Sequence, residues 1–257
     1  MFAGHEAIAN TLTFLLTVLA CHPCIQKRLQ QDIDDIVGPP GSSSTLSSYD
    51  EIYALISEGM VGAVINETLR LFPVLPLLPK KTPKTCSQPF TVSDHTRTLP
   101  QDTLVLINTS ALHRHPKSWP RQSREHKRED MFNPVASFDP DSWLVHRDLG
   151  SGRASSRLLQ PQNGSFIPFS DGSRGCLGRK FALVELCGVI TRMFSEYSVE
   201  LALEETKVPG VNENESQRRW EAAKENAEYQ LSARVEFKTS LRLKGTVPLN
   251  FVRRKLE

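Results

Sequence analysis

The residues with the most distinctive chemistry lie in residues 169–182, which read FSDGSRGCLGRKFA. The single thiol there, Cys176, directly precedes an apolar helical pattern, and free backbone N–H groups at a helix start stabilise a thiolate. Gly172 and Gly178 allow the backbone to bend tightly and to approach a flat ligand. Arg174 is a fixed cation suited to a carboxylate. A disulfide would not need the glycines and a zinc site would need more cysteines, whereas one thiolate beside an arginine suits axial ligation of haem iron.

This loop resembles the haem-binding loop of the cytochrome P450 superfamily, whose pattern is F-x-x-G-x-R-x-C-x-G. The fixed positions all match: Phe169, Gly172, Arg174, Cys176 and Gly178. The resemblance implies haem b as the cofactor, with the Cys176 thiolate as the iron ligand and the other four residues as the rest of the binding loop. A buried structural cysteine in a glycine turn is the alternative, which five matches in ten positions disfavour.

A carboxylate and an arginine, Glu67 and Arg70, stand three residues apart in NETLRLFP. At this spacing they share one face of a helix, where such a pair is most often solvated and contributes roughly a few tenths of a kcal/mol. Because a haem-type loop follows, the pair resembles the family's E-x-x-R motif. The resemblance implies a structural role, in which the pair ties its helix to the irregular segment before the loop.

That irregular segment contains FDPDSW, which resembles the family element P-x-R-W. Pro140 and Trp143 align with it, but Ser142 stands at the arginine position. The usual third member of a Glu-Arg-Arg network is therefore missing. Either another arginine such as Arg147 takes its place, or the segment is held more loosely.

The first residues, FAGHEAIA, resemble the family's distal oxygen-binding helix, A/G-G-x-D/E-T-T. Ala3, Gly4 and Glu6 match, which implies that the small residues make room for O2 and that Glu6 takes part in proton delivery. Ala7 and Ile8 stand where the family has two threonines. This departure leaves open a haem-thiolate isomerase or dehydratase, whose chemistry needs no oxygen delivery.

Three apolar residues and one histidine gain a role from their place in the family pattern. Leu75, Leu77 and Val247 lie where family members line the substrate pocket, which implies a small lipophilic substrate. In ALHRHPKSWP, His113 or Arg114 is placed to reach a haem propionate. A solvated loop is the alternative for that stretch.

The pattern of apolar residues predicts an α+β fold made mainly of helices. The resemblance implies the C-terminal portion of the P450 fold: distal helix, E-x-x-R helix, small β-sheet, haem loop and following helix. We expect helices over residues 2–36, 58–72 and 177–197. We expect strands at residues 90–92, 103–108 and 235–243, a returning strand at 248–252, a long irregular segment at 114–165 and a solvated insertion at 204–230.

The extent of the resemblance predicts one partial domain over residues 1–257, truncated so that the N-terminal half of the fold and the family's membrane anchor are absent. A net charge of +2 gives no case for nucleic acid binding. An odd count of five cysteines without a basic leader before residues 7–21 indicates a reduced, cytosol-facing protein.

The resemblance implies a monooxygenase that inserts one oxygen atom from O2 into its substrate and takes electrons from an NADPH-dependent flavin reductase. By family we expect the endoplasmic reticulum membrane, or the cytoplasm for a chain without the anchor. A non-catalytic fragment is a third alternative.

Overall fold

The computed structural model describes residues 2–40, 49–92, 94–119, 137–147, 155–203 and 213–255. Its helices are α1 (Phe2–Cys21), α2 (Pro23–Val37), α3 (Tyr49–Ser57), α4 (Gly59–Leu71), α5 (Thr109–Leu112), α6 (Arg179–Glu196) and α7 (Glu213–Ala233). Short 3-10 turns occupy Pro140–Trp143 and Gly172–Arg174. Its strands are β1 (Leu77–Lys81), β2 (Gln88–Val92), β3 (His95–Leu99), β4 (Leu104–Asn108), β5 (Leu144–Arg147), β6 (Ser155–Leu158), β7 (Tyr197–Leu201), β8 (Val235–Phe237), β9 (Leu241–Leu243) and β10 (Leu249–Arg253). They form antiparallel pairs: β1 with β4, β2 with β3, β5 with β6, β7 with β10, and β8 with β9.

The core lies where α1, α4 and α6 meet α2 and β7. Phe14 of α1 stacks on Phe72, just after α4, with ring centroids 4.5 Å apart. Nearly every residue of α4 is buried, and for that reason a charged residue on it must find its partners inside the protein. Residues Gly4–Cys21 of α1 are long and apolar enough to cross a membrane by length and composition, yet half of them are buried in the fold. Partial burial of this kind is typical of a core helix.

The first helix ends at Cys21, so the prediction of one helix over residues 2–36 is wrong. Proline lacks an N–H group and disfavours helical geometry at the residue before it. His22 accordingly has φ −127° and ψ 70°, and α2 restarts with Pro23 in its first turn, where proline is tolerated.

Three predictions in the C-terminal part also need correction. Residues 213–233 form α7, whose Ala227 and Leu231 are buried, whereas a solvated insertion was expected; residues 204–212 lie outside the described part. Residues 235–243 form a hairpin of β8 and β9 because the chain turns at residues 238–240. The strand expected at 248–252 pairs with β7 and does not return onto this hairpin.

Candidate functional site

The cysteine loop is exposed and folded back on itself directly before α6. The Cys176 N–H donates to the Phe169 carbonyl at 2.8 Å, which closes the loop around the 3-10 turn Gly172–Arg174. Gly172 has φ +75°, a conformation that side chains disfavour. Gly178 immediately precedes α6, where a Cβ would lie 3.9 Å from the Cys176 Sγ. The thiol is exposed, and within the described ranges its Sγ makes no hydrogen bond and belongs to no cluster of three or more metal-ligating side chains.

Cations surround this loop, and one of them comes from a distant strand. Lys80 of β1 donates through its Nζ to the Ser170 Oγ at 3.1 Å and to the Asp171 carbonyl at 3.5 Å. Arg174 ends the 3-10 turn and is exposed. The Arg179 guanidinium lies over the Phe169 ring, 5.8 Å from its centroid. Sequence reasoning missed Lys80 because the loop residue that it contacts, Ser170, lies ninety residues away along the chain.

The surface beside Cys176 is apolar. Leu177 is fully exposed and Phe181 is 71% exposed. Adjacent large apolar side chains left in the open mark a surface that a ligand or partner covers. An accessible thiol, an apolar face next to it and cations at its edge match the three chemical parts of haem: iron, a flat apolar ring and two carboxylates. The residues present therefore fit this cofactor.

The Glu67–Arg70 pair is buried and forms the hub of a hydrogen-bond network. Glu67 is 0% exposed, and its two carboxylate oxygens accept from the Arg70 Nε and Nη2, each at 2.7 Å. The Trp143 Nε1 donates to the same carboxylate at 2.8 Å, and the Asp139 N–H donates at 3.0 Å. Four donors on one carboxylate compensate the cost of burying its charge.

The missing arginine at position 142 is replaced by its neighbour. The indole of Trp143 supplies the third side-chain donor to Glu67, an arrangement that the sequence did not suggest. The Ser142 hydroxyl instead donates to the Asp139 carbonyl at 2.7 Å. Arg147 lies in β5, and its side chain is outside the described part of the structure. A further tie comes from Arg28 of α2, whose Nη1 donates to the Asp141 carboxylate at 2.6 Å.

His113 is buried and connects this network to the cysteine loop. Its carbonyl accepts from Arg70 at 3.1 Å, and its ring Nε2 accepts from the Ile167 N–H at 2.9 Å. Burial, followed by the charge of Arg70, lowers the pKa of His113 to about 4, so the ring is neutral. The ring is buried and its Nε2 is occupied, so His113 positions the Ile167 backbone in this structure, and its contact with a haem propionate stays a prediction.

Glu6 does not stand alone at the start of α1. Its carboxylate accepts from the Thr239 Oγ1 at 2.9 and 3.0 Å and from the Ser240 Oγ at 3.0 Å, both in the β8–β9 turn. The Asn10 Nδ2 donates to the Ser240 Oγ at 2.9 Å. The hydrogen bonds from Thr239 and then Ser240 lower the pKa of Glu6. These hydroxyls were missed because they lie more than two hundred residues away in sequence.

The other predicted site residues are placed as follows. A Cβ on Gly4 would meet no atom within 4 Å, so the backbone faces open space there. Ala3 lies in the first turn of α1, and its side chain is outside the described part. Leu75 and Leu77 are exposed around the start of β1, whereas Val247 packs on the core.

Comparisons with known proteins agree with this geometry. The family model described as Cytochrome P450 matches residues 1–230. A cytochrome P450 monooxygenase of Arthrobotrys oligospora is 29% identical over 207 residues, which cover 79% of this chain and 34% of the relative. Cytochrome P450 4A22 of Homo sapiens is 31% identical over 210 residues, covering 81% of this chain and 33% of the relative. The chain thus spans about a third of the length of these relatives.

A solved structure shares the fold. The crystal structure of the cytochrome P450DA heme domain superposes with a TM-score of 0.62 at 18% identity, covering 99% of this chain and 43% of that one. This likeness confirms the predicted fold family, with a mainly helical body and small sheets.

Proposed function

Because the chain belongs to the cytochrome P450 family, we propose that it acts as a haem-thiolate monooxygenase on a small lipophilic substrate. The observation that carries this proposal is the accessible Cys176 thiol at the start of α6, flanked by the exposed apolar side chains of Leu177 and Phe181. Bound haem would supply the O2 and one-electron chemistry.

The chain's own residues would hold the cofactor from several sides. Cys176 would bind the iron as a thiolate, favoured by the free N–H groups at the start of α6. Arg174 and Lys80 would pair with the propionates, since both cations lie at the loop. Phe169 and Gly172 would keep the loop in its closed shape, and Gly178 would leave room beside the sulfur.

The residues near the start of α1 support oxygen chemistry over isomerisation. Ala3 and Gly4 would leave space for O2. The hydroxyls missing at positions 7 and 8 are present on Thr239 and Ser240, within 3.0 Å of the Glu6 carboxylate. Glu6 can therefore hold or pass a proton with an alcohol partner supplied by the β8–β9 turn.

The partners follow from the family. We expect an NADPH-dependent flavin reductase as electron donor and the cytosolic face of the endoplasmic reticulum as location. Leu75, Leu77 and Val247 are the candidate substrate contacts. We also propose that residues 1–257 belong to one domain.

A carbon monoxide difference spectrum tests the cofactor. The chain is expressed with haem supplied, reduced and exposed to carbon monoxide, alongside Cys176→Ser and the control Cys86→Ser, which removes another exposed thiol. We expect the Soret band of a thiolate-ligated haem in the wild type and in Cys86→Ser, and its loss in Cys176→Ser. A soluble wild-type chain without this band would refute the proposal.

Oxygen consumption then distinguishes the reaction classes. A monooxygenase consumes O2 in the presence of NADPH, a reductase and substrate, whereas an isomerase or dehydratase converts substrate without them. Thr239→Val combined with Ser240→Ala should divert consumed O2 from product to hydrogen peroxide. An unchanged product yield would show that these hydroxyls play no part.

A further inference from the structure

A small cavity lies away from the cysteine loop. It has a volume of about 170 Å³, opens to solvent on one side and is bordered by the ends of α4 and α7, by α5 and by the β8–β9 hairpin. Most of its lining is apolar, formed by Leu71, Phe72, Leu231, Val235 and Leu241. Leu71, Phe72 and Leu231 are buried core residues, so these walls are fixed by the fold. Its lining includes no residue of 165–182, which separates it from the candidate haem site.

One cation, Arg114, lines this apolar cavity. Its Nη2 donates to the Leu71 carbonyl at 2.5 Å, and no carboxylate of the described residues forms an ion pair with it. Burial and the charge of Arg70 lower the pKa of Arg114 to about 10, so the guanidinium stays charged at neutral pH. The Glu67 carboxylate attracts Arg114 but does not form an ion pair with it. A largely buried charge without a directly paired counter-ion is costly, and an anion placed beside it would relieve that cost.

The cavity offers an anion more than this charge. The guanidinium has five N–H donors in a fixed fork, so donors remain beyond the one that reaches Leu71. Ser110 also lines the cavity, and its hydroxyl can donate to an oxygen anion. The Ser232 hydroxyl, which lines the cavity as well, donates to the Glu228 carbonyl at 2.7 Å. A carboxylate is the planar anion that this fork matches best.

We propose that this cavity binds a small monocarboxylate, with its carboxylate on Arg114 and its apolar part against Leu231 and Leu241. The size of the apolar part follows from the volume: a dry cavity of roughly 150 Å³ is known to hold a benzene ring, so 170 Å³ accommodates one ring or a short alkyl chain. The site needs neither haem nor electron transfer, so it stands independently of the proposed function.

Calorimetric titration of the full 257-residue chain tests the site with three probes that share a ring. Benzoate carries the carboxylate, benzyl alcohol is neutral and benzylamine is a cation. We expect saturable binding of benzoate that is at least about tenfold tighter than the binding of benzyl alcohol, because the carboxylate gains a charge-assisted hydrogen bond to Arg114. We expect no binding of benzylamine. Equal affinity for benzoate and benzyl alcohol would overturn the proposal.

Variants locate the binding. Arg114→Gln should abolish the preference for benzoate, whereas Arg242→Gln, which removes an arginine paired with Glu236 outside the cavity lining, should preserve it. Because Arg114 also supports the end of α4, Ser110→Phe provides a second test by filling the cavity from its edge with the guanidinium intact. Wild-type affinity for benzoate in folded Ser110→Phe would place the binding elsewhere and refute the assignment.

Discussion

The hydrogen bond from Trp143 to Glu67 predicts a specific loss of stability. Trp143→Phe keeps an aromatic ring in a site that is 1% exposed, but it removes one of the four donors on a carboxylate that is 0% exposed. Hydrogen bonds to charged groups contribute about 1.5–3 kcal/mol, whereas neutral ones contribute about 0.5–1.5 kcal/mol. Trp119 is the matched control, since its ring packs 5.0 Å from Trp143 and its Nε1 donates to the neutral Ser165 carbonyl at 3.3 Å. We therefore expect Trp143→Phe to lower the free energy of unfolding by about 1–2 kcal/mol more than Trp119→Phe does.

Urea unfolding monitored by far-UV circular dichroism measures both losses. A double-mutant cycle with Glu67→Gln separates the hydrogen bond from the smaller ring volume, because only the former depends on the charge of Glu67. Equal losses in the two Trp→Phe variants, or additive effects of Trp143→Phe and Glu67→Gln, would refute the view that the indole replaces the arginine absent at position 142.

Three more predictions concern the loop and its supports. The pKa of His113 falls from 6.5 to about 4 on folding. As the pH is lowered, the unfolded chain therefore takes up this proton before the folded chain does. The free energy of unfolding is thus about 3 kcal/mol higher above pH 6.5 than it is near pH 4. His113→Gln should flatten urea-unfolding stability over that range, and an unchanged pH slope would contradict the assignment. Lys80→Met should weaken haem binding about tenfold, measured by haem transfer to apomyoglobin. The control Lys81→Met should leave haem binding unchanged, because Lys81 lies on the opposite face of β1 and pairs with Asp102. Equal effects of the two variants would exclude a propionate contact. Ser142→Arg should slow haem loss in the same assay, because burial and then Glu67 raise the pKa of Asp139, which would gain a cation; no gain would show that Trp143 compensates fully.

Features predicted correctly from the sequence are those that depend on neighbouring residues. The helix carrying Glu67 and Arg70 follows from apolar periodicity and ends before Pro73, as expected. The α1–α2 break was missed, although the signal for it is local, because Pro23 disfavours a helical His22. Helix α7 could not be predicted from the apolar pattern, since its residues are mostly polar and only a few, such as Ala227, are buried.

Contacts between distant segments could not be predicted in the same way. Lys80 meets Ser170, which lies ninety residues further along the chain, and Thr239 of the β8–β9 turn meets Glu6, which lies more than two hundred residues before it. The E-x-x-R pattern located the buried pair but not its third partner. An indole N–H and an arginine both satisfy a carboxylate, and the choice between them is made by the packing of Trp143 against Trp119 and Phe166.

The buried network controls the geometry of the cysteine loop at a distance from the thiol. Glu67 fixes Arg70, Arg70 holds the His113 carbonyl, and the His113 ring holds the Ile167 N–H, two residues before Phe169. The Phe169 carbonyl in turn accepts from the Cys176 N–H. From Glu67 to Ile167 each step is a hydrogen bond between buried or half-buried residues, where a lost partner leaves an unsatisfied polar atom. A change at Glu67 should therefore disturb the position of Cys176, although Glu67 does not contact the thiol.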